Sequence, residues 1–448
     1  MIEILKNLLI SCMRKITTLL LLPIAIGLLS SQSLTAQTSR KEKTIIAAVD
    51  KNNLYYTDLL KEIVNINSGT MNFDGVKEVG IRLKKEFEAL GMQCDWLPGA
   101  AFNRAGHIVA KTKGKKGPKL LLIGHLDTVF EPDNPFQAYE MQDENIMKGP
   151  GVADMKGGDV IILLALKALK EAQLLDQMQI QVVLTGDEEK SGSPIELSKA
   201  ALVEGAKWAD IALAFENADG DPKTIVVARR GSTGWDLKVT GNAAHSSQIF
   251  TEKVGVGAIY EAARILDQFY QQLSTEENLT FNPGMILGGT STKFSAEHSG
   301  GQASGKSNVV AQDVLVTGDI RAVSLEQLEK AKKVMMQIAA NSYPGTSAEL
   351  EFSSGGYPPL PPSKGNYDLL SQYSQVSQDL GFGAVAAVNP RNAGAADVSF
   401  TAGYVDMAID GMGLSGDDDH TINETGDLST LPMQAKRAAV LMYRLQNK

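Results

Sequence analysis

The sequence predicts an α/β protein carrying a second, inserted α+β unit, and three observations support that prediction. Short apolar runs typical of buried strands alternate with helical spacing of apolar residues as far as about residue 226. From about Thr224 the order of elements changes to βαββαβ. At 448 residues the chain also exceeds the roughly 250–300 at which one core stops growing, so two domains are expected.

Residues 1–37 read as a signal peptide: Arg14 and Lys15 precede the apolar run 19–29, which leads to the small-residue site Leu34-Thr35-Ala36. That run holds Pro23 and Gly27 and is shorter than the ~20 residues of a spanning helix, and no later stretch is long enough. The expected product is therefore exported, periplasmic or secreted, with no membrane span. Met13, just before the basic pair, is an alternative start. Leu9-Ile10-Ser11-Cys12 has the form of a lipobox, but the short apolar stretch before it disfavours lipidation.

With 43% hydrophobic and 21% charged residues the composition is that of a globular protein. Removing residues 1–36 takes away Lys6, Arg14, Lys15 and Glu3, which moves the net charge from −9 to −11 and disfavours nucleic-acid binding. Of Cys12 and Cys94 only the second survives cleavage, which excludes an internal disulfide.

The first part of the main domain, 38–226, opens on a polar stretch. A helix follows at 76–90, stopped by Gly91; strands at 107–111 and 119–123; a mostly apolar helix at 157–175; and a buried strand at 179–184. This alternation implies a largely parallel sheet. The insert, 227–356, reads as strand 235–239, helix 254–273, strands around Met285 and Val314, helix 325–340 and strand 348–352, a ferredoxin-like order. Tyr357-Pro358-Pro359-Leu360-Pro361-Pro362 resembles a stiff linker into the second part of the main domain, 357–448, with a surface loop as the other reading.

Several chemically capable residues fall at strand ends. Gly124-His125-Leu126-Asp127 places an imidazole at the end of a buried strand with a carboxylate two residues on, the pairing that fixes the tautomer of a metal-bound histidine. Asp154 lies in the glycine-rich loop Gly149-Pro150-Gly151-Val152-Ala153-Asp154-Met155-Lys156-Gly157 before a helix, where a plain N-cap is the alternative. Asp187-Glu188-Glu189 sets three carboxylates beside one another after a buried strand, a costly arrangement without a cation. Glu216 follows the apolar run 211–215, and His420 ends the acidic loop Asp417-Asp418-Asp419. Two histidines, several carboxylates and no thiolate make a mixed N/O set suited to zinc.

The motifs Gly-His-Leu-Asp-Thr-Val, Gly-Val-Ala-Asp-Met-Lys-Gly and Asp-Glu-Glu-Lys-Ser-Gly, with Glu216 and His420, resemble the zinc exopeptidases and amidohydrolases that include glutamate carboxypeptidase, aminoacylase and succinyl-diaminopimelate desuccinylase. The resemblance spans roughly residues 45–448. It implies a zinc-exopeptidase catalytic domain with a central mixed sheet flanked by helices, and an insert serving as dimerisation and lid domain. It also implies two Zn2+ per chain, with Co2+ or Mn2+ as alternatives: His125 on one, His420 on the other, Asp154 bridging, Glu189 and Glu216 completing the sites. Glu188 becomes the general base and Asp127 the carboxylate orienting His125.

Within the insert, His245 in Gly241-Asn242-Ala243-Ala244-His245 resembles the family histidine that reaches the neighbouring subunit's site, which makes a homodimer the expectation. Asn308 and Arg321 resemble substrate contacts; a guanidinium can bind a carboxylate bidentately. Asn392-Ala393-Gly394-Ala395-Ala396-Asp397 matches a loop usually written Gly-Gly-Thr-Ser-Asp, so only the backbone of Gly394 carries over, and Arg391 stands where a replacement contact could arise. Glutamate at 216 resembles the carboxypeptidase and deacylase branches. The implied substrate is a small peptide or N-acyl amino acid. A broad dipeptidase or aminopeptidase is the nearest alternative, a non-catalytic peptide binder a more distant one. The absence of a Gly-x-Ser-x-Gly elbow disfavours a metal-free serine hydrolase.

Overall fold

The computed structural model describes residues 38–295 and 300–447. The signal-peptide reading, the alternative start at Met13 and the Cys12 lipobox lie outside the described residues. Among those described, no helix is long and apolar enough to cross a membrane.

The stretch before residue 76, polar in sequence, is largely helical. In α1 (Arg40–Val64) the Ser39 hydroxyl accepts the Glu42 N–H and the Glu42 carboxylate accepts the Ser39 N–H, a reciprocal cap that starts the helix. There follow α2 (Phe73–Ala89), β1 (Gln93–Pro98), β2 (Gly106–Lys111), β3 (Lys116–His125), α3 (Gly157–Glu171), β4 (Met178–Thr185), α4 (Ala200–Trp208) and β5 (Ile211–Ala214). The insert contains β6 (Gly231–Gly241), α5 (Ala258–Leu273), β7 (Thr280–Gly289), β8 (Asp313–Ala322), α6 (Leu325–Ala340) and β9 (Thr346–Phe352). The chain returns through α7 (Lys364–Asp379), β10 (Met407–Ile409) and α8 (Thr430–Gln446).

The central sheet has six strands in the order β1-β2-β4-β3-β5-β10. Its β4, β3, β5 and β10 run parallel, because helices carry the chain back between them, whereas β1 and β2 pair antiparallel across a short loop. The sheet is thus mixed at one edge. Helix α3 is apolar nearly all round because it is buried between the sheet and the helices α1 and α8. Ile45, Leu60, Ile161, Leu164 and Leu441 fill that layer, and Leu121, Val183 and Leu202 fill the layer beneath α4.

The insert sheet runs β7-β8-β6-β9, every pair antiparallel, with a core of Trp235, Leu237, Phe269, Val316 and Met335. Helix α5 begins at Ala258 rather than residue 254, because Gly255 and Gly257 adopt φ of 75° and 77°, outside helical geometry. A hairpin of Ser291–Ser295 with Gly300–Ser304, not anticipated from the sequence, extends this unit.

The proline-rich return is not a linker standing clear of the fold but is bridged to residues 229–232. Arg229 and Leu360 exchange main-chain hydrogen bonds of 3.0 Å each, and Ser232 N–H donates to the Tyr357 carbonyl at 3.0 Å. These two bridged segments form the neck of the insert.

Candidate metal centre

The parallel strands β4, β3 and β5 end on one side of the sheet, where function gathers in open α/β folds. His125 is the last residue of β3, Glu188 and Glu189 follow β4, Glu216 follows β5, and Asp154 precedes α3. His420 arrives from the C-terminal segment with a φ of 61°.

His125 Nε2 lies 3.0 Å from Asp154 Oδ1 and 3.4 Å from Glu216 Oε1. His420 Nε2 lies 3.0 Å from Asp154 Oδ2 and 3.2 Å from Glu189 Oε2. Asp154 therefore belongs to two triads, His125 with Glu216 and Glu189 with His420, in each of which the donor atoms lie within 4.8 Å of one another.

The charges fit cations. Burial first, and the Asp154 charge second, push the carboxyls of Glu189 and Glu216 up to about 7. Burial likewise lifts Glu188 well above the carboxylate range. Glu189 Oε1 is buried without a hydrogen-bond partner. Hydrogen bonds to Asp154 and Glu189 raise His420 to about 11. Three crowded carboxyls, an orphaned oxygen and two imidazoles sharing one carboxylate make a donor set that two divalent cations would satisfy.

The supporting layer differs in detail from expectation. Asp127 is fully buried, but its carboxylate stands 3.5 Å from His125 Nδ1, which lies closer, at 3.0 Å, to the Asp127 carbonyl. The carboxylate oxygens also accept the Glu188 N–H at 3.0 Å, the Glu189 N–H at 3.2 Å and the Thr70 hydroxyl at 2.7 Å. Asp127 thus fixes the loop that carries the base candidate.

Glu188 lines a cavity of about 210 Å³ with Asp154, Glu216, His420, Arg229 and Gly394. The Gly394 carbonyl accepts Arg229 Nη1 at 3.1 Å, and a Cβ on Gly394 would stand 3.7 Å from Arg321 Nη1. Arg321, paired with Asp319 at 2.9 Å, thus lies beside Gly394 from the insert. The Arg391 carbonyl receives Arg230 Nη2 at 2.9 Å, while its own side chain is exposed. His245 and Asn308 sit together in the insert, where Ser246 N–H donates to the Asn308 carbonyl at 2.8 Å. Among the described residues no hydrogen bond or ion pair joins either of them to the Asp154 cluster.

Sequence reasoning missed three supporting residues. Glu424 accepts main-chain N–H groups of Gly151, Ala153 and Asp154. Asp410 accepts Arg229 Nε at 2.7 Å and the Glu216 N–H at 3.2 Å. Buried Lys199 bridges Asp187 and Asp397 at 3.1 and 3.0 Å. The paired Arg229-Arg230 at the domain junction was the one readable signal among these.

The family model described as peptidase family M20/M25/M40 matches residues 121–444. Carboxypeptidase G2 of Pseudomonas sp. (strain RS-16) is 26% identical over 412 residues, 92% of this chain and 94% of that protein. Succinyl-diaminopimelate desuccinylase of Janthinobacterium sp. (strain Marseille) is 25% identical over 324 residues, 70% of this chain and 80% of that protein. The crystal structure of a tripeptidase from Staphylococcus aureus superposes with a TM-score of 0.68 at 22% identity, covering 89% of this chain and 99% of the other, a likeness of fold.

Proposed function

The chain belongs to peptidase family M20/M25/M40 and is a metal-dependent hydrolase, and we propose that it releases a C-terminal amino acid, glutamate-like, from small peptides or N-acyl amino acids. The observation that carries this reading is the cavity itself. Glu188 lines it together with Asp154, Glu216 and His420 of the two candidate metal triads, and Arg321 lies beside the lining residue Gly394, where it suits a free carboxylate of the substrate.

In this reading His125, Asp154 and Glu216 would hold one Zn2+, and Asp154, Glu189 and His420 the other. Bound there, such cations would supply Lewis-acid polarisation of the scissile carbonyl and a lowered pKa of the attacking water. Glu188 accepts the proton of that water and returns it to the leaving nitrogen. Asp127 keeps Glu188 in place through its main-chain N–H, and Arg321 orients the substrate by its carboxylate.

Export rests on the N-terminal signal reading. A homodimer through the insert is supported by Phe250, Ile259, Tyr260 and Ile286, all exposed on it. That no hydrogen bond or ion pair among the described residues joins His245 to its own chain's cluster agrees with His245 serving a neighbouring site.

The test is metal content and hydrolysis of a panel of N-acyl amino acids and free dipeptides, before and after chelation and zinc readdition. Two metals per chain, activity lost and restored, and cleavage of blocked substrates are expected, with Glu188→Ala inactive but fully metallated. Cleavage of free dipeptides with blocked ones spared would replace this reading with a dipeptidase or aminopeptidase.

A further inference from the structure

Tyr357 stands where the chain leaves the insert, yet its hydroxyl reaches the loop of the base. Its carbonyl is bonded to Ser232 across the neck at 3.0 Å. Its hydroxyl donates to the main-chain carbonyl of Glu188 at 2.9 Å and accepts from Ser191 Oγ at 3.1 Å. The ring packs edge-on against Phe400, centroids 5.1 Å apart, and Lys199 Nζ lies 5.4 Å from its centre. Lys199 in turn donates to the Asp187 carbonyl at 3.1 Å, one residue before Glu188.

The backbone of Glu188 is thus held at both ends. Asp127, from the metal layer, takes its N–H at 3.0 Å, and Tyr357, from the neck, holds its carbonyl. A general base must be placed to within about half an ångström to move a proton efficiently, so a hydrogen bond that fixes its main chain acts on the reaction without touching substrate.

We propose that Tyr357 is a positioning residue that ties the placement of the Glu188 carboxylate to the neck of the insert, so that the conformation of the neck sets the base. This rests on the reading of Glu188 as the base. The ring's packing alone would make Tyr357 a structural residue, and the two roles separate experimentally.

Tyr357→Phe keeps the ring and removes the hydroxyl. The expected result is a fall in kcat of about ten- to a hundredfold with KM, zinc stoichiometry and Tm close to wild type. Phe400→Leu loosens the ring's packing and keeps the hydroxyl; it should lower Tm and retain kcat. Wild-type kcat in Tyr357→Phe overturns the proposal, and so does loss of kcat in both variants in step with Tm. Glu188→Ala distinguishes the two levels. Turnover in that variant would overturn the base itself. An inactive Glu188→Ala beside a fully active Tyr357→Phe would overturn the positioning role alone.

Discussion

Glu424 Oε1 accepts the main-chain N–H of Asp154 at 3.1 Å, so the carboxylate shared by both metal triads is aimed by a residue that touches neither cation site with its own side chain. The same carboxylate accepts Ala153 N–H at 2.9 Å and Gly151 N–H at 2.9 Å, and its side chain is fully buried. Glu424→Ala would strand these donors, each worth roughly 1–3 kcal/mol when left unpaired and buried. The loss of stability should reach at least about 3 kcal/mol in denaturant titration, with weaker zinc binding by calorimetry. Unchanged zinc affinity would show that the loop holds Asp154 without it.

Asp127→Asn keeps the shape of the side chain but turns one of two accepting oxygens into a donor. The two N–H groups it receives, from Glu188 and Glu189, cannot both be satisfied afterwards. Activity should fall about 10–100-fold, the range seen for supporting residues of metal sites, through both kcat and zinc affinity. A change in zinc affinity with kcat intact would restrict Asp127 to the metal.

Removing the metals should make the protein's stability fall as pH rises. Glu189 and Glu216, pushed to about 7 in the fold from an ordinary 4.5, hold protons between those values that the unfolded chain has already released. Stability therefore declines over that window. His420, raised to about 11 from 6.5, keeps its proton while the unfolded chain loses it, so its contribution is whole below 6.5 and wanes above. Both trends have one sign. In chelator, Tm should drop from pH 5 to pH 8, and the gain in Tm on adding zinc should widen over the same range. A flat profile in chelator would contradict these shifts.

The metal-site candidates were readable because each lies in a short motif at a strand or loop end: His125 with Asp127, Asp154 before a helix, Glu188 and Glu189 after β4. The parallel part of the sheet was readable from its continuous apolar strands. Helix α1 was not, because its buried positions Ile45, Val49, Tyr56 and Leu60 are diluted among polar residues, although Ser39 and Glu42 spelled its start. Glu424 and the Arg229–Asp410 pair stayed hidden for another reason: their partners are distant in sequence, and a hydrogen bond to a backbone N–H leaves no side-chain pattern. Tyr357 read as part of a linker because its prolines mask the pairing with 229–232 that only the folded neck creates.

If His245 serves the neighbouring subunit, its loss and the loss of the base are repairable in a mixed dimer. One chain carries Glu188→Ala and supplies an intact His245; the other carries His245→Ala and supplies an intact Glu188. Each homodimer is crippled at both sites. In the heterodimer one site receives Glu188 from its own chain and His245 from the other, so unfolding and refolding an equal mixture should restore up to about a quarter of wild-type activity, from half heterodimers with one working site each. The insert, where His245 is exposed, is the surface that must bring the two chains together. Size-exclusion chromatography of the mixture should show a dimer, and Ile259→Asp, on an exposed position of α5, should dissolve it together with the recovered activity. No recovery in a mixture that is demonstrably dimeric would place His245 outside the partner's site.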